Sequence, residues 1–374
     1  MTVELGGCVG RRLAFVAALS LGFCAPAHAG QGTPAGQPVA ATEYPSLRLS
    51  GFGNIDFATQ DRTEGPRGFS EGQFVLHWVS ALSARVNVFG ELSFSPRPDA
   101  GTGSPSATGF NAEVERIIIR FDQSDQLKVS FGRYHTPINW WNTAFHHGQW
   151  LQTTISRPEM VQFGGRFIPV HFVGALAEGS FPASGWNLNY QAGVGNGRGG
   201  VISRGGDAGD NNATPAWVGG LFVKPDRAFG LQVGGSLYFD KISLTGQPDF
   251  RERIFAGHIA WQREDPEIIA EVANVRHEAV GGISTSSNLA YYVQAAYRLP
   301  WLGALWKPYY RFDRIDIDSA DTVFAGVSNL DGSTLGVRYD ISTYAAIKTE
   351  ARLRRRVSSQ PRMNGWFFQV SFTF

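Results

Sequence analysis

The sequence predicts an all-β protein: a transmembrane up-and-down antiparallel β-barrel of about sixteen strands, with a long third loop folded inward. Apolar and polar residues alternate with a period of two through almost the whole chain, which is the pattern of strands with one apolar face. After the N-terminal segment, no apolar run is long enough for a transmembrane helix. Glycine (45 residues) and aromatic residues (13%) are abundant, although mean hydropathy is slightly negative.

The first 29 residues have the three parts of a cleaved secretory signal. Arg11 and Arg12 give a positive start, residues 13–23 are apolar, and Ala27 and Ala29 form a small-x-small cleavage pattern. An N-terminal membrane anchor is the alternative, but the apolar run is too short to span a bilayer. We therefore expect a signal peptide over 1–29, a flexible periplasmic leader over 30–45 and a barrel over 46–374.

Composition after this signal excludes several classes of protein. Cys8 and Cys24 both lie within the signal, so the mature chain has no disulfide and no thiolate chemistry. Removing Glu4, Arg11 and Arg12 leaves 31 basic and 31 acidic residues. Nucleic-acid binders carry a strong basic excess, so we expect no nucleic-acid partner.

Segments of about ten residues carry apolar side chains on one face and polar side chains on the other. In the first, over 47–58, Leu47, Leu49, Ile55 and Phe57 share a face. Strands of this length cross a bilayer when tilted. The apolar face is therefore expected to meet lipid, and the polar face to enclose solvent.

The connections between these segments alternate in length. Short ones are expected at 81–83, 123–126, 181–184, 224–228, 263–267, 299–306 and 340–343. Longer ones are expected at 60–69, 95–110, 133–162, 196–214, 241–248, 279–286, 318–329 and 357–362. Short turns at one end and longer loops at the other are typical of membrane barrels, whose even strand number places both termini at the turn end.

The last strand gives the sharpest single signal. Trp366, Phe368, Val370, Phe372 and the terminal Phe374 occupy one face. An ordinary β-protein edge strand is the alternative, but a flat aromatic edge is an aggregation hazard in water. Pairing with the first strand removes that edge, and lipid accepts the apolar face.

This plan resembles the sixteen-stranded bacterial outer-membrane porins. The stretch FGRYHTPINWWN at 131–142, followed by Arg157 and Pro158, is similar to the phosphate-selective porin O/P branch, in which a strand ends in Gly-Arg and runs into a long inward loop. The resemblance implies a bacterial outer-membrane location, contact with outer-membrane lipid and lipopolysaccharide, and a homotrimer.

The longest connection, 133–162, is rich in bulky aromatic and charged residues, which argues against disorder. Its notable side chains are Arg133, Tyr134, His135, Trp140, Trp141, Phe145, His146, His147, Trp150, Arg157 and Glu159. The functional interpretation is a constriction loop whose side chains set the size limit of a pore. The alternative is an outer loop packed over the rim or against a neighbouring subunit.

The fifteenth segment carries a basic ladder at alternating positions. Because charges facing lipid cost about 2–4 kcal/mol each near the midplane, the ladder must face the lumen. The predicted lining comprises Arg116, Arg120, Arg311, Arg338, Lys348, Arg352, Arg354 and Arg356, together with Arg133, His135, Trp140, Trp141, Arg157 and Glu159 of the loop. Cationic rings favour anions in a narrow pore, so we expect mild anion preference. Alternatively, these arginines pair with inward carboxylates and brace the wall.

Enzyme and metal signals are weak in the sequence. His146 and His147 are adjacent rather than spaced as ligands on one face, and no HExxH, GxSxG or Walker motif occurs. His258 or His277 could nominally serve a hydrolase, but a lone strand histidine is usually structural. We expect no enzyme activity, no cofactor and no metal.

The function that the sequence favours is passive diffusion of small polar solutes or ions through a porin-type channel. Two alternatives stay open. One is a substrate-selective channel for sugars or aromatic acids, in which Trp140, Trp141 and Trp150 form a stacking slide. The other is a structural or adhesive surface barrel with a plugged interior.

Overall fold

The computed structural model describes residues 43–61, 67–97, 109–162, 166–203, 205–282, 284–357 and 359–374. The predicted signal peptide (1–29) and most of the predicted leader (30–45) lie outside the described residues. The described part of the chain forms one closed sheet of sixteen antiparallel strands, which confirms the predicted fold class.

Each strand pairs with its sequence neighbours, and the first also pairs with the last. The strands are β1 (Ser46–Gln60), β2 (Gly68–Ala81), β3 (Val86–Pro96), β4 (Phe110–Ser124), β5 (Leu127–His135), β6 (His171–Phe181), β7 (Leu188–Asn196), β8 (Ala216–Val223), β9 (Leu231–Ile242), β10 (Phe250–Gln262), β11 (Glu267–Ala279), β12 (Thr285–Ala296), β13 (Trp306–Asp316), β14 (Leu330–Ser342), β15 (Ala345–Arg355) and β16 (Met363–Thr373).

Closure joins the two end strands by a regular ladder. Phe57 of β1 lies opposite Phe368 of β16. The backbone N–H of Gly51 donates to the carbonyl of Phe374 (3.0 Å), and the N–H of Phe374 donates back to Gly51 (3.1 Å). The aromatic C-terminal strand is therefore a paired wall strand, as its sequence predicts.

The two faces of the wall have opposite character. On β4, the outward side chains of Ile117, Ile119 and Phe121 are 53%, 48% and 43% exposed, whereas Arg116 and Arg120 at alternate positions are buried. A continuous apolar surface of this kind is unfavourable in water. The predicted alternation of apolar outside and charged inside is confirmed on this strand.

The two ends of the barrel also differ. Most connections at the end that carries both termini are short, and the four longest connections all lie at the other end. The longest is the third loop, residues 136–170, which contains the helix α1 (Trp141–Ala144) and a 3-10 turn at Glu159–Val161. In the part of the chain that the structure describes, no helix has the length and apolar character needed to cross a membrane.

The interior of the barrel holds packed side chains of the third loop as well as solvent-facing polar groups, which corrects the expectation that the polar face simply encloses solvent. Ile138, Trp141 and Met160 of the third loop join Tyr238 of β9 and Tyr292 of β12 in one buried apolar cluster. The loop can pack there because inward positions of β9 to β12 are apolar as well as polar. The long inward third loop is thus confirmed, and it narrows the lumen more than the alternation pattern indicates.

Candidate functional site

The neck of the third loop is closed by hydrogen bonds between its two ends. The N–H of Thr136 donates to the carbonyl of Val170 at 2.9 Å. The side-chain amide of Asn142 donates to the carbonyls of Thr136 and Val170, both at 3.0 Å. The loop therefore enters and leaves the wall at one point, where β5 ends and β6 begins.

A glycine shapes the strand just before this neck. Gly132 has φ +149°, and a Cβ there would lie 1.9 Å from the carbonyl oxygen of Ile117. Residues that carry a side chain rarely adopt this backbone conformation, so the position favours glycine. The neighbouring Arg133 is held on the inner side of the wall, where its Nε bonds to Asp207 (2.8 Å) and its Nη2 to Glu113 (3.1 Å).

Carboxylates of the wall accept hydrogen bonds from the backbone of the loop. Glu271 of β11 accepts from the N–H groups of Trp140 (2.8 Å) and Trp141 (2.6 Å). Glu350 of β15 accepts from the N–H groups of Ile155 (2.9 Å) and Ser156 (3.2 Å). Buried backbone groups are costly without a partner, so these carboxylates replace the hydrogen bonds that a loop would otherwise make to water.

Cations of the wall donate to carbonyl groups of the same loop. Arg311 of β13 is fully buried and donates to the carbonyls of Ser156 (2.7 Å) and Arg157 (2.9 Å). Arg338 of β14 donates to the carbonyl of Trp150 at 2.6 Å. Lys348 of β15 donates to the carbonyls of Gln149 and Thr154. Three predicted lining cations thus lie beneath the loop and fasten it.

Two charged loop residues, Arg157 and Glu159, occupy different environments. Arg157 is buried with its guanidinium over the ring of Trp141, 5.0 Å from the centroid. Burial lowers the pKa of Arg157 to about 9. Glu159 forms an ion pair with Arg354 of β15, and its N–H donates to Asp313 of β13 at 3.0 Å. The ion pair connects the loop to the predicted basic ladder.

The remaining predicted lining arginines are paired with inward carboxylates. Arg116 bonds to Glu91 at 2.5 Å and Arg120 to Asp122 at 2.7 Å. Arg352 bonds to Glu350 and keeps a side-chain exposure of 17%. These ion pairs agree with the alternative that inward arginines pair with carboxylates and brace the wall. Part of the Arg352 side chain nevertheless stays accessible.

Arg356 is a correction to the predicted ladder. Strand β15 ends at Arg355, which pairs with Asp331 of β14 at the end of the ladder. Arg356 therefore lies beyond the strand, and it is exposed. The alternating sequence continues past the point where backbone pairing stops, and the pattern alone could not place that boundary.

The three loop tryptophans are covered by protein. Trp140, Trp141 and Trp150 are 6%, 1% and 9% exposed. Phe52 of β1 stacks on Trp150 with ring centroids 6.5 Å apart, and the guanidinium of Arg338 lies 5.6 Å from the Trp150 centroid. Their faces are therefore occupied by neighbours in this conformation.

A cavity of about 630 Å³ lies beside the neck of the loop. Its lining includes Glu113, Glu115, Arg133, His171, Arg198 and Asp207. Both acidic and basic side chains line it, so a polar or charged small molecule fits its chemistry better than an apolar one.

Sequence reasoning named His135, His146 and His147 in the loop but missed His171 and the meeting of all four histidines at the neck. His171, at the start of β6, lies directly opposite His135, at the end of β5. His146 and His147 return to the same place from inside the loop, with the ring centroids of His135 and His146 3.9 Å apart. Their position in the sequence could have indicated part of this cluster. Two strands joined by one loop pair antiparallel, so the residues that flank the loop lie opposite each other.

No protein-family model and no curated protein matches the chain. Solved structures do. The anion-selective porin from Comamonas acidovorans superposes with a TM-score of 0.64 at 13% identity, covering 88% of this chain and 99% of that one. The chain has the fold of bacterial outer-membrane porins.

Two further porin-fold structures give the same result. Salmonella typhi OmpF, in a complex with daunomycin, has a TM-score of 0.59 at 11% identity, covering 88% of this chain and 98% of that one. The trimer form of OmpT from Vibrio cholerae has a TM-score of 0.56 at 13% identity, covering 89% and 100%. Similarity at these identities establishes the porin fold, and the phosphate-selective branch stays a prediction.

Proposed function

We propose that the protein is an outer-membrane channel through which small polar solutes diffuse passively, with the third loop as its constriction. One observation carries the proposal: the loop lies inside the barrel and is fastened to charged residues on the inner wall. Glu271, Arg311 and Glu350 each make at least two hydrogen bonds to it. A fixed loop in the lumen sets a size limit.

The distribution of charge supports transport rather than a purely structural barrel. Charged side chains are concentrated on the inner face, where they can replace part of the hydration of a passing solute. Arg352 and Arg354 remain partly accessible, with side-chain exposures of 17% and 13%. Because Arg311, Arg338 and Lys348 lie under the loop, they contribute to the field of the lumen rather than to direct solute contact.

Mild anion preference is part of the proposal. Most of the predicted cations are paired with carboxylates, so their effect is partly neutralised and a strong selectivity is not expected. Location in the bacterial outer membrane, contact with its lipid and lipopolysaccharide, and assembly as a homotrimer are proposed with it. The similarity to a trimeric OmpT barrel supports the assembly state.

A closed structural barrel is the second candidate, and the burial of the loop favours it. The third candidate, a stacking slide for sugars or aromatic acids, requires exposed rings, whereas Trp140, Trp141 and Trp150 are buried. The three candidates differ in what crosses the membrane.

Planar-bilayer recording with the purified full chain separates these candidates. We expect discrete conductance steps in KCl, and a reversal potential under a KCl gradient that is shifted toward the anion equilibrium value. Cation selectivity would contradict the anion preference but leave the channel intact. Absence of any conductance would favour the closed barrel. Liposome swelling with sugars and aromatic acids of matched size would reveal a selective channel as a departure from sorting by size.

A further inference from the structure

Four histidines converge at the neck of the third loop. His135 and His171 are cross-strand partners on β5 and β6, and His146 and His147 come from the loop. The centroids of His146 and His147 are 4.4 Å apart, and those of His146 and His171 are 4.9 Å apart. One nitrogen from each ring can be chosen so that all four atoms lie within 4.8 Å of one another.

We propose that His135, His146, His147 and His171 form a binding site for a divalent transition-metal ion of the Zn²⁺, Ni²⁺ or Cu²⁺ type. Imidazole nitrogen is a preferred ligand for these ions. Zn–N bonds are about 2.0–2.1 Å long, so nitrogens around one tetrahedral ion lie about 3.4 Å apart. Side-chain rotations that bring the most distant nitrogens about 1.4 Å closer would complete such a set.

The environment of His135 is the second observation that indicates a ligand. Its side chain is 3% exposed. Within the described residues, neither of its ring nitrogens has a hydrogen-bond partner; the carboxylate of Glu91 lies 3.8 Å from Nε2. Buried polar atoms in native proteins are almost always satisfied, and an ion is one explanation for those that are not.

A carboxylate positions two of the other rings. Glu115 on β4 bonds to Nε2 of His147 (3.0 Å) and to Nε2 of His171 (2.9 Å). Carboxylates behind metal-bound histidines fix ring orientation and increase ligand basicity. Glu115 also brings a negative charge to the edge of the cluster, as Glu91 does beside His135.

Nearby cations restrict how an ion would bind. Nη2 of Arg157 lies 3.0 Å from Nδ1 of His146, so the ion would bind His146 through Nε2. Because Glu115 holds Nε2 of His147 and of His171, the ion would bind these rings through Nδ1 and displace their contacts with Oε1 of Gln73 (3.2 Å) and Nη2 of Arg133 (3.1 Å). Arg133 would keep its ion pair with Asp207. The other facing cation, Arg116, is paired with Glu91.

The site is reachable from solvent and connects two parts of the fold. His171 lines the 630 Å³ cavity beside the neck, which provides an entry path. An ion shared by the four rings would join the loop, through His146 and His147, to the walls at β5 and β6. The site depends only on the fold, not on whether the barrel conducts.

The test is Zn²⁺ titration calorimetry on the purified, untagged full chain in detergent after removal of metals with EDTA. We expect saturable binding of one Zn²⁺ per chain. We also expect Co²⁺ to give the strong visible absorption of tetrahedral nitrogen coordination. His135→Ala should weaken binding at least tenfold, and Glu115→Gln by about 10–100-fold.

Two further variants serve as a substitute for His135→Ala and as a matched control. His171→Ala removes the half-buried member of the cluster and serves if His135→Ala does not fold, as judged by heat-modifiable migration on gels. His258→Ala is the matched control, because His258 is a buried inward histidine on β10 that bonds to Gln232 instead (2.9 Å). It should bind Zn²⁺ like the natural protein. No saturable binding to the folded natural protein, or equal affinity in His171→Ala, would overturn the proposal.

Discussion

The carboxylate of Glu271, on β11, accepts a hydrogen bond of 2.6 Å from the backbone N–H of Trp141 at the start of helix α1. The same oxygen accepts from the N–H of Trp140 at 2.8 Å. These bonds cross from the wall to the loop inside the barrel. They mean that a single side chain of the wall fixes the backbone of the loop where its aromatic residues begin.

Removing this acceptor should loosen the constriction. In Glu271→Leu, the N–H groups of Trp140 and Trp141 lose their partner, at a cost of about 1–3 kcal/mol for each buried group left unsatisfied. We expect single-channel recordings with higher or noisier conductance than the natural protein. Glu278→Leu is the control, because Glu278 is on the same strand but pairs with Arg251 on the exposed side. Identical traces for Glu271→Leu and the natural protein would argue against the loop as constriction.

Two arginines of β13 allow a matched test of buried against exposed ion pairs. Arg311 bonds to Asp313 at 2.8 Å and is fully buried, whereas Arg314 bonds to Asp316 at 2.7 Å with both side chains 46% exposed. Arg311→Met removes the guanidinium that pairs with buried Asp313 and donates to the carbonyls of Ser156 and Arg157, and should destabilise the barrel by about 3–5 kcal/mol. Arg314→Met should cost at most about 1 kcal/mol. Thermal unfolding in detergent measures both, and equal effects would show that loop anchoring adds no stability.

The barrel itself was predictable because alternation and turn spacing are local properties of the sequence. On β4, residues 116–121 alternate between inward arginine or isoleucine and outward apolar side chains, and the structure follows this pattern. The C-terminal strand was predictable for the same reason. Its closure with β1 follows because an unpaired aromatic edge is unfavourable in water.

The site was only partly predictable because it depends on contacts between distant residues. The position of the third loop was expected, but its partners lie far along the chain: Trp141 bonds to Glu271, and Ser156 to Glu350. No local pattern indicates which inward carboxylate will meet which N–H group. The histidine cluster was missed because His146 and His147 were considered as neighbours in sequence, while His135 and His171 join them only through strand pairing.

The accessible part of the basic ladder offers a test of selectivity. Arg352 and Arg354 are the ladder members that keep partial exposure, so Arg352→Gln combined with Arg354→Gln should shift the reversal potential toward the cation value. The matched control is Arg251→Gln with Arg253→Gln, two alternating arginines on β10 whose side chains are 55% and 48% exposed. A shift of the same size in both double variants would mean that the ladder has no special part in selectivity.

The turn between β10 and β11 should make stability dependent on pH in the acid range. Burial acts to raise the pKa of Glu264, but Lys307 (3.0 Å) and Arg298 (2.6 Å) outweigh it and lower the pKa to about 2. The unfolded value is about 4.3. Because the folded pKa is the lower one, the contribution of Glu264 is fully present above about pH 5 and is lost as pH falls toward 2.

Glu264→Gln tests this directly. The melting temperature of the natural protein should exceed that of the variant at pH 6, and the difference should shrink between pH 5 and pH 2 as the carboxylate is protonated. Asp125→Asn, an exposed carboxylate in the turn between β4 and β5, is the control and should show little difference at either pH. A gap for Glu264→Gln that stays constant down to pH 2 would mean that the ion pairs with Lys307 and Arg298 do not contribute, and that the turn is held by its backbone alone.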